Sequence, residues 1–306
     1  MDVLQKFNYQ PWPKLPYEDF SSTSHLLHMG TQVLGKLKLM TPFEPQWANV
    51  PLWITSRGLT TGPIPYESGI FSIDLDFTDH KVICTTSWQN VGEFKLRSMS
   101  VAKFTQLLFK LLFDVGINVK INLRPQEVAN PISFDEDTKQ RFYNQELANS
   151  WWQILVSSYR VMQQYHAQFT GKTPPIGLMW GTFDLRDARY QRVAVPTTGP
   201  NAGYIRRNAM NEAQVEAGWW SGNADYPHAA YYSFTYPQPE KIEQSQIKPD
   251  TARWDNKMGL FVLNYEDVRK SKKPEEDLLM FFESAYKAGT TLAKWDPKLV
   301  GSGKPT

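Results

Sequence analysis

Two hydrophobic rhythms alternate along the chain. Between Phe71 and Phe77 every second residue is apolar: Phe71, Ile73, Leu75 and Phe77 alternate with Ser72, Asp74 and Asp76. Period two predicts a half-buried β-strand. Further on, Val101, Phe104, Leu107, Leu108, Leu111, Leu112 and Val115 recur at three-and-four spacing, from Ser100 to Gly116. That is the pattern of an amphipathic helix with a polar start and a glycine stop. The same reading makes strands of VPLWIT, KVICTTS, EFKLRS and VKINLRP, and a helix of SSTSHLLHMGTQVLGKLKLM. Ser133 and Glu136 match a capping box, and no glycine or proline interrupts Asp135 to Thr170. Phe142, Trp151, Trp152, Leu155, Val156, Tyr159 and Met162 supply a stripe, so one helix of roughly 50 Å is expected there.

The second half repeats the style without repeating the sequence. IGLMWGTFDLR, AAYYSFTYP and GLFVLNYE read as strands, and NEAQVEA as a short helix ended by Gly218. Pro274 opens a last helix whose first turn holds Glu275, Glu276 and Asp277, where negative charge suits the dipole. Strands come in runs instead of alternating singly with helices. The expectation is therefore the α+β class: antiparallel sheets covered on one face by helices, in two similar sheet-plus-helix halves linked by the long helix. The divisions expected are an extended arm over 1–24, a first half over 25–134, the linking helix over 135–171, a second half over 172–299 and a flexible tail over 300–306.

Strand alternation also picks out candidate chemistry. On LWITSR, Trp53, Thr55 and Arg57 share a face, and on MWGTFDL so do Trp180, Thr182 and Asp184. With helices on the apolar side, the opposite side carries these residues with Asp74 and Asp76, as a solvated surface or as the floor of a cleft. Asp74 and Asp76 would stand about 6–7 Å apart, near enough to divide acid and base roles, bind a hard cation or pair with arginine. SRGLTTGPIP, from Ser56 to Pro65, is long for a turn between strands. It reads as a lid or rim with Arg57 at its base, where Thr60 and Thr61 bond a ligand or cap the turn. His25 and His28 form an H-x-x-H, a spacing used by zinc sites, with no third ligand marked. A divalent metal is one reading and chance spacing the other.

Composition narrows the classes. A net charge of +2 with scattered lysines and arginines gives no electrostatic reason to expect nucleic acid or an acidic membrane as partner. A single cysteine, Cys84, excludes an intramolecular disulfide. The start of the chain lacks a secretory pattern and no segment is apolar enough to span a bilayer, so a cytoplasmic protein is expected. The 11 tryptophans suit a packed core and also the walls of a pocket. No phosphate loop, dinucleotide fingerprint, nucleophile elbow or paired C-x-x-C occurs.

Several phrases are specific together: Leu27–His28, Thr31–Gln32 and Gly35–Lys36; RGLTT from Arg57 with Ile64–Pro65; DFTDH from Asp76 to His80; WGTFDL from Trp180 with Arg189; GWWSG from Gly218; and YSFTYPQP from Tyr232. In this order they resemble a bacterial family catalogued as domain of unknown function 5996, over Trp12 to Trp295. The resemblance implies a histidine–tryptophan pair before the VPL strand and a His-Glu pair shortly before the GWWSG segment. This chain has Gln46-Trp47-Ala48 at the first place and Glu212-Ala213 at the second. His28, His80, Asp76 and Asp184 match the pattern.

The functional expectation is a small-molecule enzyme. Arg57, Thr60 and Thr61 would bind ligand between walls of Trp53, Trp180, Trp219 and Trp220. Asp76, Asp184, His28, His80 and Glu212 would act as acid–base groups or metal ligands. The alternative is a binding or interaction scaffold that has kept the pocket and lost the family's chemistry. Substrate, cofactor and oligomeric state are not legible.

Overall fold

A computed structural model describes residues 10–196 and 203–300. The chain divides into two compact units that interleave along the sequence. The first holds residues 1–43, 49–155 and 177–184, and the second 44–48, 156–176 and 185–306.

In the first unit, helix α1 (Tyr17–Lys38) starts after Pro16, with Glu18 and Asp19 in its first turn and Lys36 and Lys38 in its last. Six strands make an antiparallel sheet: β1 (Trp53–Ile54), β2 (Gly58–Thr60), β3 (Ile64–Tyr66), β4 (Gly69–Asp76), β5 (Lys81–Thr86) and β6 (Val91–Lys95). The order is β1-β2-β4-β5-β6, with β3 also on β4. Helix α2 (Val101–Asp114) begins where the sequence places it: Ser100 Oγ accepts from Lys103 N. It lies on β5 and β6. Ile73 and Leu75 face Cys84 and Val82 across the ladder, all buried with Leu108 and Leu112. Burying six such side chains at roughly 1.5–3 kcal/mol each is the main stabilising term of this layer. Cys84 is a core residue; burial pushes its thiol up to about 12.

The second unit is built on β8 (Asp184–Ala194), β9 (Glu212–Trp220), β10 (Ala230–Tyr236), β11 (Arg253–Asp255) and β12 (Leu260–Asn264). The order is β11-β12-β10-β9-β8. Helix α4 is Tyr204–Ala209, α5 is Tyr265–Lys270, and α6 (Pro274–Leu292) opens with the expected proline and acidic turn. Helix α6 packs on β10 and β9. Gly289 permits the approach, since a Cβ there would stand 1.8 Å from Thr235 Oγ1.

Four elements differ from the sequence reading. The linking helix, α3, is Gln145–Ala167, not a helix from 135. Ser133 closes only a turn, with Glu136 N and Asp137 N on its carbonyl. The true cap is Asn144, whose Oδ1 accepts from Leu147 N. Residues 142–144 are held by α1 instead: Ser22 Oγ accepts from Phe142 N and Thr23 Oγ1 from Asn144 N. Tertiary partners have taken the backbone groups a helix would use, and Phe142 is exposed. VKINLRP pairs with no strand. IGLMWGTFDLR is broken by a turn at 180–183, after β7 (Gly177–Met179), where Phe183 is left-handed at φ 60°. NEAQVEA is the start of β9, not a helix; Gln214 to Trp220 pair with Tyr236 to Ala230. The arm expected over 1–24 yields to α1 at Tyr17, and the expected tail lies, from 301 on, outside the described residues. Among the described residues no helix is long and apolar enough to cross a membrane.

Candidate functional site

In the first unit most of the expected site residues serve the fold. Thr55 Oγ1 accepts from Arg57 N and Gly58 N, so the strand LWITSR ends in a tight turn. SRGLTTGPIP then becomes β2 and β3. Gly58, Leu59 and Thr60 pair with Asp76, Leu75 and Asp74, and Ile64 pairs with Phe71. It is sheet, not a lid. Thr61 is fully buried: its Oγ1 donates to Gly62 O and accepts from Ile73 N. Thr60 Oγ1 accepts from Gly62 N.

Asp76 is a turn anchor. One oxygen accepts from Thr78 N (2.8 Å) and Asp79 N (2.9 Å), and the other from Arg57 Nε at 2.7 Å. Burial pushes its pKa up, but these hydrogen bonds outweigh it and hold the carboxyl below its ordinary value. Arg57 is thereby engaged, by Asp79 as well at 2.8 Å. His80 takes the left-handed turn position (φ 52°), with Nδ1 2.9 Å from Tyr143 Oη. Asp74 alone of the strand's carboxylates faces a hollow of about 470 Å3, beside Ser72, Thr60 and Thr85.

The matched phrases of α1 do meet one another. His28, Gln32 and Lys36 fall at i, i+4 and i+8, on one face. That face meets the turn after β7. His28 Nε2 is 2.9 Å from Gly181 O, and Gln32 Nε2 donates to Gln126 O at 2.7 Å. A carbonyl partner requires the proton on His28 Nε2. Burial lowers His28 to about 4, and its ring stacks on Phe183 at 4.9 Å. Gly35 lies flat against Trp180, where a Cβ would come within 2.1 Å. Trp180 Nε1 donates to Val50 O. Lys36 is buried and its Nζ stands 6.0 Å from the Trp180 ring; burial lowers its amine to about 8. Lys38 Nζ donates to Thr61 O at 2.8 Å and lies 5.5 Å from the Trp53 ring. Asp184 is buried and accepts from Thr182 Oγ1.

His25 and His28 do not converge. His25 Nε2 is 3.2 Å from Asp137 Oδ2. Among the described residues no group of three or more His, Cys, Asp or Glu side chains comes together to hold a metal.

The second unit holds a different arrangement, on the face of β8, β9 and β10 away from α6. Alternation puts Arg186 and Tyr190 of β8, Glu212, Gln214 and Glu216 of β9, and Tyr232 of β10 on that face. Lys172 Nζ pairs with Glu212 Oε1, and Gln46 Nε2 donates to the same oxygen at 2.9 Å. Arg186 Nη2 donates to Gln46 O at 3.3 Å, and its Nη1 is 3.8 Å from Glu216 Oε2. Tyr232 Oη donates to Glu216 Oε1 at 3.4 Å. Lys172 Nζ also lies 5.4 Å from the Tyr190 ring.

Three polar atoms here are buried without a hydrogen bond: Glu212 Oε2, Tyr190 Oη and Gln214 Oε1. Each such atom costs about 1–3 kcal/mol, so three on one face of adjacent strands β8 and β9 are a signal. Burial pushes the Tyr190 phenol up, against the opposing Arg186 and with Glu216 and Glu212 adding to it. The backbone is also unusual: Gln46 and Trp47 are left-handed in succession, at φ 56° and 59°. Trp47 is fixed by its Nε1 on Ile205 O and its ring on Tyr204. Non-glycine residues in that region cost of order 1–3 kcal/mol and concentrate at functional sites.

Of the three candidates expected here, Glu212 is central and Trp220 borders it, 6.0 Å from Tyr232. Trp219 points to the other face, buried against Tyr265. Lys172, Arg186, Tyr190 and Glu216 escaped the sequence reading. For Glu216 the signal was present in E-A-Q-V-E, which alternates charged or polar with apolar residues at period two.

The positions at which the chain departs from the resembled pattern, Gln46 and Glu212, touch each other. No curated protein and no solved structure matches the chain. The model of the Family of unknown function (DUF5996) matches residues 12–302. That span covers nearly the whole sequence, and the chain belongs to this family.

Proposed function

We propose that the protein is an enzyme that binds a small polar molecule at the β8–β10 face and moves a proton with Glu212. The observation that carries this reading is the divided state of the Glu212 carboxylate. Lys172 and Gln46 hold Oε1, while Oε2 is buried without a partner. Lys172 and Gln46 fix the carboxylate through Oε1, and Oε2 is the atom left to take a substrate proton. The Tyr190 phenol keeps its own proton and has no acceptor, so it suits an oxygen on which negative charge develops. Arg186 and Trp220 supply a cation and a wall, the roles expected of Arg57 and Trp53. The single buried cysteine fits a reducing cytoplasm.

A second reading rests on the Gln46–Glu212 contact. An amide–carboxylate pair stands where the resemblance implies histidines, as in a protein that retains binding and has exchanged its chemistry.

Native mass spectrometry of the full chain, after incubation with a pooled small-metabolite extract, tests the first reading. An adduct lost on denaturation is expected on the wild type and reduced at least tenfold in Glu212→Gln and Tyr190→Phe. Equal adducts on all three would remove Glu212 from the site. An adduct that survives intact, with no product mass after hours, would favour the second reading.

A further inference from the structure

The opposite face of the second sheet carries a separate feature. Arg189 sits one position out of phase with Arg186 and Tyr190, so it points toward α3 and α6. It is 1% exposed. Among the described residues it forms no ion pair with a carboxylate. The nearest acidic residue on its strand face, Asp187, gives Oδ1 to His166 Nδ1 at 2.7 Å. The guanidinium is instead enclosed by rings. Its central carbon is 3.4 Å from the Tyr165 centroid, 4.5 Å from that of Tyr286 and 5.3 Å from that of Phe169. Nη2 donates to Tyr165 O, and Nε is buried without a partner. Ring faces, one carbonyl and the Tyr286 hydroxyl satisfy the buried cation only in part, since Nε is left over.

Arg189 also lines a cavity of about 400 Å3. Tyr286, Trp295, Pro297 and Val300 give it apolar walls, and Lys287 adds a second cation. Its two acidic residues are already engaged: Gln168 Nε2 donates to Glu283 Oε1, and Asp296 Oδ1 accepts from Lys298 N. A caged, planar cation at the floor of an apolar-walled cavity is matched by a carboxylate on a flat or branched apolar body. The carboxylate would pair with the guanidinium edge and the body would lie against Tyr286 and Trp295.

We propose that this cavity is a binding site for a small aromatic or branched apolar carboxylate, anchored by Arg189. The site is separate from the Glu212 face and does not depend on it.

Titration of the full chain with benzoate and with indole-3-acetate, read by calorimetry, tests the proposal against two probes of similar size or charge: benzyl alcohol and inorganic phosphate. Saturable binding of at least one carboxylate below about 1 mM is expected, with both comparison probes at least tenfold weaker. Thr291→Trp, at the exposed end of α6, should block the cavity and abolish binding without touching the core. Lys287→Gln should weaken it several-fold, and Arg189→Lys at least tenfold, because lysine lacks the planar fork. Glu212→Gln should leave it unchanged, which separates this site from the proposed proton-transfer site. Absence of saturation by either carboxylate up to about 10 mM would overturn the proposal. So would equal affinity for benzyl alcohol, or binding that survives Thr291→Trp. Should Arg189→Lys fail to fold, the Thr291 and Lys287 variants still decide.

Discussion

The two sheets carry charge on the face away from α2 and α6, yet they use it oppositely. On the first, Asp76 accepts three hydrogen bonds from Thr78 N, Asp79 N and Arg57 Nε, and the hydroxyls of Thr60 and Thr61 satisfy neighbouring backbone. On the second, Glu212, Tyr190 and Gln214 keep buried polar atoms without partners beside Lys172, and Gln46 and Trp47 hold a left-handed backbone. Satisfied groups contribute stability; unsatisfied ones cost it, and persist where a ligand completes them. Similar residue types in similar strands thus divide into a structural face and a candidate site by one criterion, whether the polar atoms are already engaged.

The largest expected effect is on the structural side. Asp76→Ala removes three accepted hydrogen bonds from a buried turn and should cost about 3 kcal/mol in urea unfolding, with no change in ligand adducts. A loss of stability under about 1 kcal/mol, or a lost adduct, would break the comparison by moving Asp76 to the functional side.

Nearly as large is a pH effect at His28. Burial holds the folded imidazole near 4, while the unfolded chain titrates near 6.5. Between these values the unfolded chain binds the extra proton, so stability is fully present above pH 6.5 and falls as pH drops toward 4. The window is worth about 3 kcal/mol at most. The stability difference between wild type and His28→Gln should therefore shrink from pH 7 to pH 4.5. A constant difference would mean that His28 is not held neutral against Gly181.

Glu212→Gln should move stability by less than about 1 kcal/mol, since the amide keeps the shape and Lys172 is partly solvated. It should nonetheless reduce the adduct at least tenfold. A loss as large as that of Asp76→Ala would make Glu212 structural and remove the contrast between the faces.

The smallest expected effect is a gain. Lys36 lies buried against Trp180, with no carboxylate partner among the described residues, and its amine is lowered from 10.5 to about 8 by burial. Lys36→Met should stabilise the protein by about 1 kcal/mol at pH 7, after allowance for solvent screening. As pH rises from 8 to 10.5 the wild-type amine is neutral only when folded, so the wild type should gain stability and the advantage of the variant should fade. A destabilised Lys36→Met would assign that amine a partner in the folded chain.

The sequence by itself determined the α+β class, the extents of α2 and α6, the capping of α2 by Ser100 and the burial of Cys84. These follow from local periodicity, end signals and composition, which act over a few neighbouring residues. It also carried the family membership, through phrases spread over the whole chain. Tertiary structure alone decided that NEAQVEA is a strand, because β10 supplies its ladder partners. It decided that the helix does not reach back through residues 141–144, because Met99, Ser22 and Thr23 capture their backbone amides. It also decided the roles of the charged residues. Asp76 and Glu212 are both acidic side chains at strand ends, and only Asp76 is followed by a turn whose amides, of Thr78 and Asp79, it accepts from. What separates them further is which distant groups arrive beside each carboxylate: Arg57 at one, Lys172 and a left-handed Gln46 at the other. Hydrogen bonding and desolvation are set by neighbours remote in sequence, so the elements could be read from the chain and their chemistry could not.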